Sequence, residues 1–112
     1  MAEKQQIILN TCPNHDTAKQ IAESLVTRGL AACINILPGV ESVYKWKGQV
    51  ECEQEYLLII KTRADAYSSV EQAILKQHPY ELPEIIAVPL ANGLPAYLAW
   101  IDDNCNATGK PD

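Results

Sequence analysis

The sequence lacks an apolar run of the ~20 residues that a membrane-spanning helix needs. Its first residues, MAEKQQIILN, lack the apolar core and small-residue cleavage site of a secretory signal. We therefore expect a cytoplasmic protein without a membrane partner. The sequence also lacks a glycine-rich phosphate loop and the G-x-S-x-G and H-E-x-x-H motifs, which favours a protein that is not an enzyme.

Basic residues are scarce, because nine Lys and Arg stand against fourteen Asp and Glu and leave a net charge of −5. A protein that grips nucleic-acid phosphates needs a basic face, so we expect no nucleic-acid partner. An acidic balance is compatible with binding of a cation. Many proteins without a cation site are equally acidic.

The four cysteines, Cys12, Cys33, Cys52 and Cys105, form no C-x-x-C pair of the zinc or redox type. In a reducing compartment they are expected to be free thiols, mostly buried. Cys12 alone is a candidate thiolate ligand, because a loop follows it.

What the chain does have is a globular composition, with 47% hydrophobic and 21% charged residues over 112 positions. This size and composition predict a single domain over residues 1–112. We expect its core at about 5–103 and a polar tail at 104–112.

The first half of the sequence predicts a strand, a helix and a long strand. QQIILNTC, from Gln5 to Cys12, is a short apolar run, and Asn14 is a plausible cap of an amphipathic helix that stops at Gly29. AACINIL and VESVYKW then form one strand, with a bulge at the Pro-Gly that separates them.

A tight turn at Lys47-Gly48 predicts a long hairpin that returns as far as Thr62. Its outer part, around 44–55, is too polar for the core but still carries aromatic side chains. An arm of this kind exposes unpaired edges, so we expect another subunit to cover it.

The second half predicts a helix capped by Asp65 and ended by Pro79, a strand at 85–90, and a short helix that begins at Pro95. The resulting order predicts an α+β, ferredoxin-like split βαβ fold, an antiparallel sheet with helices on one face and an extra C-terminal helix. Right-handed crossovers are expected to place the first and last strands side by side at the sheet centre.

The stretches LAACINILPGVESVYKWKG, EYLLIIKT, HPYELPEIIAVPL and YLAWI resemble the CutA family, which is linked to divalent-cation tolerance. The resemblance runs in the same order from Ile7 to Ile101. It implies a ferredoxin-like fold assembled as a compact homotrimer, with sheet edges and long hairpins packed between subunits. It also implies a likeness in fold to PII-type signalling trimers, which proves no shared ligand.

The resemblance further implies copper(II) or another divalent cation, held in a few members by a cysteine on the first strand and adjacent histidines at the end of the second helix. Here those positions are Asn10, Gln77 and His78, so only His78 matches. Cys12 lies two residues beyond Asn10 on the same strand face and could substitute, with Glu81 or Glu84 as a further donor. The alternative is that His78 is a structural helix end.

Six further residues are candidates for an intersubunit cleft or an interface: Trp46, Glu55, Lys61, Tyr80, Glu84 and Tyr97. Two functions follow. The first is a homotrimer that binds a divalent metal ion, copper first, at a site that includes His78. The second is a PII-like signalling or scaffold trimer whose cleft binds a small anionic ligand, favoured by Lys61, or a protein partner.

Overall fold

A computed structural model describes residues 4–106, and its elements follow the predicted order. They are β1 (Gln5–Cys12), α1 (His15–Thr27), β2 (Cys33–Trp46), β3 (Gln49–Arg63), α2 (Tyr67–Gln77), β4 (Ile85–Pro89) and α3 (Pro95–Asp103), with a 3-10 turn at Ala64–Ala66 before α2. The predicted split βαβ fold is thereby confirmed.

The strands form one antiparallel sheet in the order β2-β3-β1-β4. The first and last strands are neighbours, as expected, but their placement at the centre is wrong. β1 pairs on both sides, with β3 and with β4, whereas β4 has one partner and lies at the edge. An edge suits β4 because Pro89 has no N–H to give to a further strand.

Helix α1 begins and ends as the sequence predicts. The Asn14 side chain accepts a hydrogen bond of 2.8 Å from the Thr17 amide, which caps the first turn. At the other end Gly29 has φ +74°, and the Leu30 amide donates to the Leu25 carbonyl at 2.9 Å. This is the Schellman arrangement, which needs a residue that tolerates a left-handed backbone.

The hairpin of β2 and β3 also has the predicted bulge and turn. The pairing register shifts between Leu37 and Val40, where Gly39 has φ +76°. Lys47 and Gly48 both have positive φ, at +50° and +81°, which makes the tight turn a type I′. The described chain is 43 Å along its longest axis.

The prediction that Asp65 caps the second helix is wrong. Its carboxylate instead forms an ion pair with Arg63 at 2.6 Å, and α2 begins at Tyr67 without a side-chain cap. The bidentate fork of Arg63 competes successfully for that carboxylate. At its other end α2 stops at Gln77, and His78 is extended because Pro79 follows it.

Helices α1 and α2 pack on one face of the sheet and enclose the core. Fully buried apolar side chains from both layers meet there, among them Ile8, Ile21, Leu25, Leu58 and Ile74. Because side chains alternate along a strand, the neighbours of these sheet residues point to the opposite face, which α1 and α2 leave uncovered.

The first residues of the predicted polar tail, 104–106, pack against the rest of the described chain. The Asp102 carboxylate accepts hydrogen bonds of 3.0 Å from Gln5, Cys105 is buried, and the Asn106 amide donates to the Gly29 carbonyl at 2.7 Å. The rest of that predicted tail, 107–112, lies outside the described residues. Among residues 4–106, no helix has the length and apolar character needed to span a membrane.

Candidate functional site

An open groove of about 870 Å³, the hairpin groove, lies between the outer hairpin and the segment that joins α2 to β4. Hairpin residues 42–46 and Glu55 form one wall, and residues 79–86 form the other, with Thr11 between them. Five of the predicted site residues line it: Trp46, Glu55, Tyr80, Glu81 and Glu84. Four others, Cys12, Lys61, His78 and Tyr97, do not.

Strand alternation decides which hairpin side chains face the groove. Ser42, Tyr44 and Trp46 share one face of β2, and their partners across the hairpin are Glu53, Glu51 and Gln49. Partial desolvation and the charges of Glu53 and Glu51 raise the pKa of Tyr44. The carboxylates of Glu51 and Glu53 make this face of the hairpin acidic.

His78 fixes the opposite wall through both of its ring nitrogens. The Tyr80 amide donates to Nδ1 at 3.2 Å, so Nδ1 carries a lone pair and no proton. Nε2 lies 2.7 Å from the Thr11 carbonyl and must therefore donate its proton there. The neutral Nε2–H form of the ring thus ties the segment after α2 to the end of β1.

Tyr80 connects the two walls directly. Its hydroxyl donates to the Glu55 carboxylate at 2.8 Å, and burial followed by this hydrogen bond raises the pKa of Tyr80. Glu55 itself is only 6% exposed. The one ion pair among residues 4–106 joins Arg63 and Asp65, so the Glu55 carboxylate has no basic partner in the described chain.

The predicted metal ligands are not arranged to hold a metal. His78 has no free nitrogen, and burial, followed by the charge of Glu55, raises the pKa of Cys12 to about 11, which keeps its thiol protonated. No group of three His, Cys, Asp or Glu side chains suited to a metal ion occurs within residues 4–106. The geometry of His78 matches the structural alternative given above.

Asn10, which stands where the family's cysteine was expected, also has a structural place. It is fully buried, its amide donates to the Glu84 carbonyl at 2.9 Å, and its oxygen accepts from the Cys12 thiol at 3.5 Å. Asn10 and His78 therefore hold the two ends of the same groove wall to β1.

Lys61 and Tyr97 lie elsewhere. Lys61 points to the uncovered sheet face, where its ammonium donates to the Asn35 side chain and lies 3.9 Å from the Cys33 sulfur. Tyr97 stacks on Trp100 in α3, with ring centroids 5.6 Å apart. Lys61 was the basic residue that favoured an anionic ligand, but it does not line the groove. The groove is lined by glutamates instead.

Tyr44 and Thr11 are among the groove residues that sequence reasoning missed. Tyr44 had a signal, because it lies two residues from Trp46 on a strand and so shares its face. Thr11 had none, because its part in the site is played by a backbone carbonyl that any residue could supply.

The sequence of this chain is similar to those of known proteins. A family model described as "CutA1 divalent ion tolerance protein" matches residues 6–104. The "Divalent-cation tolerance protein CutA" of Thermus thermophilus is 42% identical over 100 residues, which cover 89% of this chain and 97% of that protein. "Protein CutA, chloroplastic" of Arabidopsis thaliana is 42% identical over 88% of this chain but only 54% of its own length.

A solved structure titled "Structure of the Periplasmic divalent cation tolerance protein CutA from Archaeoglobus fulgidus" is also similar. It has a TM-score of 0.87 at 36% identity and covers 89% of this chain and 97% of that chain. The likeness therefore extends over the strands, helices and hairpin described above.

Proposed function

Because the chain belongs to the CutA1 divalent ion tolerance family, we propose that it acts in divalent-cation tolerance as a homotrimeric binding protein without enzymatic activity. The family is named for tolerance and not for a reaction. The observation that supports the assembly is the apolar face of the sheet that α1 and α2 leave uncovered.

This open sheet face is built by the side chains that alternate with the core residues of each strand. Ile86 and Val88 are 51% and 49% exposed on β4, and Leu37 is 38% exposed on β2. Between them lie the half-buried apolar residues Ile7, Leu9, Leu57 and Ile59. A contiguous apolar surface of this kind marks a protein interface, and three copies are the number that the family resemblance implies.

Oligomeric state in solution tests this proposal. We expect a mass about three times 12.4 kDa by light scattering for the wild-type chain. Val88→Asp places a charge on the open sheet face and should shift the mass toward the monomer. The matched control is Val26→Asp on α1, where the side chain is 44% exposed and should tolerate the charge. A monomeric wild-type chain, or equal behaviour of the two variants, would overturn the proposal.

The hairpin groove is the ligand site that this assembly offers. It joins the open sheet face through Thr11 and Ile86, so covering that face would put the groove at a subunit junction. Its volume, about 870 Å³, falls in the range of small-ligand pockets, which is roughly 300–1,000 Å³. A small ligand or a protein partner bound there would give the trimer its specificity.

A resident copper(II) or other divalent ion at His78, Cys12 and Glu81 does not fit the described geometry. Both ring nitrogens of His78 bond to backbone groups, and the Cys12 thiol stays protonated. We expect a copper(II) titration against a competing chelator to give equal affinity for the wild type and His78→Ala. A tight site that disappears in the variant would restore metal binding at His78 as the leading function.

The cytoplasm is the compartment that we propose for this chain. All four cysteines are unpaired, and Cys52 is exposed, which suits a reducing environment. The compartment names of the plant and archaeal relatives show that the family is not confined to one location. Fractionation of cells that express the tagged chain tests this part of the proposal.

A further inference from the structure

The hairpin groove carries charge of one sign. Three glutamates line it, Glu55, Glu81 and Glu84, and Glu53 adds its charge from the same face of the hairpin. Lys45 is the one basic residue among those that line the groove, and strand alternation directs its side chain to the opposite face of the hairpin. Lys47 follows Trp46 at the hairpin turn, outside the lining. The groove therefore attracts cations and repels anions.

Among the glutamates that line the groove, Glu55 is the buried one. The residue is more than nine-tenths buried and its carboxylate is bonded to the Tyr80 hydroxyl, yet no described basic group neutralises it. A buried carboxylate without a counter-charge is costly, and proteins pair such groups. Glu55 lines the groove, so a cation bound there would supply the missing partner.

Aromatic side chains surround the same space. Tyr44 is 41% exposed, and Trp46 and Tyr80 are half-buried along the two walls. The Trp46 ring already attracts an ammonium of this chain, because Lys47 Nζ lies 5.7 Å from its centroid. Aromatic faces beside carboxylates are the usual surroundings of organic ammonium and guanidinium groups.

We propose that the hairpin groove binds a small organic cation, whose ammonium or guanidinium group pairs with Glu55 and packs against Tyr44, Trp46 and Tyr80. This inference rests on the proposed function, since it names the ligand class of that groove. A bare metal ion fits less well, because the groove is far larger than an ion and no three metal-binding side chains converge within residues 4–106. The volume favours a small molecule over a protein partner.

Calorimetry on the assembled protein tests the proposal with probes matched in shape and differing in charge. Nα-acetylarginine amide and Nα-acetyllysine amide carry the cation, and Nα-acetylcitrulline amide and Nα-acetylnorleucine amide are their neutral counterparts. We expect binding of a cationic probe that weakens with added salt, and weaker binding of its neutral match. Equal binding within both pairs, or no binding of either cation up to millimolar concentration, would overturn the proposal.

Variants locate the site. Glu55→Gln keeps an acceptor for the Tyr80 hydroxyl but removes the charge, and should weaken cation binding by about tenfold or more, as expected for loss of a charge-assisted contact. Trp46→Leu should also weaken it through loss of the aromatic face. Glu23→Gln removes the same charge from the exposed surface of α1 and should bind as the wild type does. Equal loss in Glu23→Gln and Glu55→Gln would contradict a specific site.

Three outcomes separate this inference from the proposed function. A monomeric wild-type chain refutes the proposed function, whereas a trimer that ignores all four probes refutes the cation site alone. Such a trimer would indicate that a neighbouring copy already supplies the partner of Glu55. Binding of copper(II) or zinc that depends on Glu55, without binding of the organic probes, would assign the groove to a metal and also overturn the inference. If Glu55→Gln does not assemble, Glu81→Gln at an exposed groove position replaces it.

Discussion

Replacing His78 by alanine should destabilise the protein far more than replacing the other histidine. The ring makes two hydrogen bonds, to the Thr11 carbonyl at 2.7 Å and from the Tyr80 amide at 3.2 Å, at a position that is only 9% exposed. Leaving two such backbone groups without partners costs about 1–3 kcal/mol each where water cannot replace the ring. We therefore expect His78→Ala to lower the free energy of unfolding by ~2–5 kcal/mol.

The matched control is His15→Ala. His15 is exposed at the start of α1, and its one described ring contact is an edge approach to Tyr56 at 5.7 Å. Its removal should change the free energy of unfolding by ~0.5 kcal/mol or less. Urea unfolding of both variants at one fixed protein concentration gives the comparison, because the stability of an oligomer depends on concentration.

Two spectroscopic measurements test the two hydrogen bonds of His78 without measuring the free energy of unfolding. Nitrogen NMR of the His78 ring should place the proton on Nε2, and hydrogen exchange at the Tyr80 amide should be slow in the wild type and fast in His78→Ala. A proton on Nδ1, or equal stability of the two alanine variants, would refute the assignment of His78 as a structural tie. His78 would then again be available as a metal ligand.

Two further predictions concern alkaline pH and the hairpin turn. The pKa of Cys12 in the folded chain is raised from 9.0 to about 11, so the protonated thiol contributes its full stability below pH 9.0 and loses it as pH rises through about 11. Urea unfolding should show a steeper fall across that window in the wild type than in Cys12→Ala, and parallel curves would contradict the assigned cause. Gly48 has φ +81°, so Gly48→Ala should cost about 1–2 kcal/mol and Gly48→Asn less, because Asn tolerates that backbone better. Thermal unfolding checks the order, and an equal loss in the two variants would refute it.

The order of elements and most of their ends were predictable because each depends on neighbouring residues. Asn14 caps α1 and Gly29 ends it, since a side-chain acceptor and a left-handed backbone act within one turn. Lys47 and Gly48 make the hairpin turn for the same local reason. Asp65 shows the limit of this reasoning, because its carboxylate had a competing partner in Arg63 that the capping pattern does not register.

The candidate site was predictable only in part, because it depends on which distant residues meet. Trp46, Glu55 and Tyr80 were identified from their residue types, and the structure brings them to one groove. Lys61 and Tyr97 were grouped with them by the same criterion, yet Lys61 lies on the same face of β3 as Glu55 but six residues further along the strand, and α3 carries Tyr97 away. Residue type does not encode which part of a sheet face or helix a side chain occupies.

The family, the split βαβ order, the bulged hairpin and the net charge of −5 could all be predicted from the amino-acid sequence alone. The state of His78 depends on the folded chain, because its two partners are backbone groups, one of them in a strand 67 residues away along the chain. The fold also showed that Glu55 is buried and has no counter-charge among residues 4–106. Local patterns fix the elements through short-range backbone preferences, whereas the protonation and pairing of a side chain depend on the packing of strands that the sequence keeps apart.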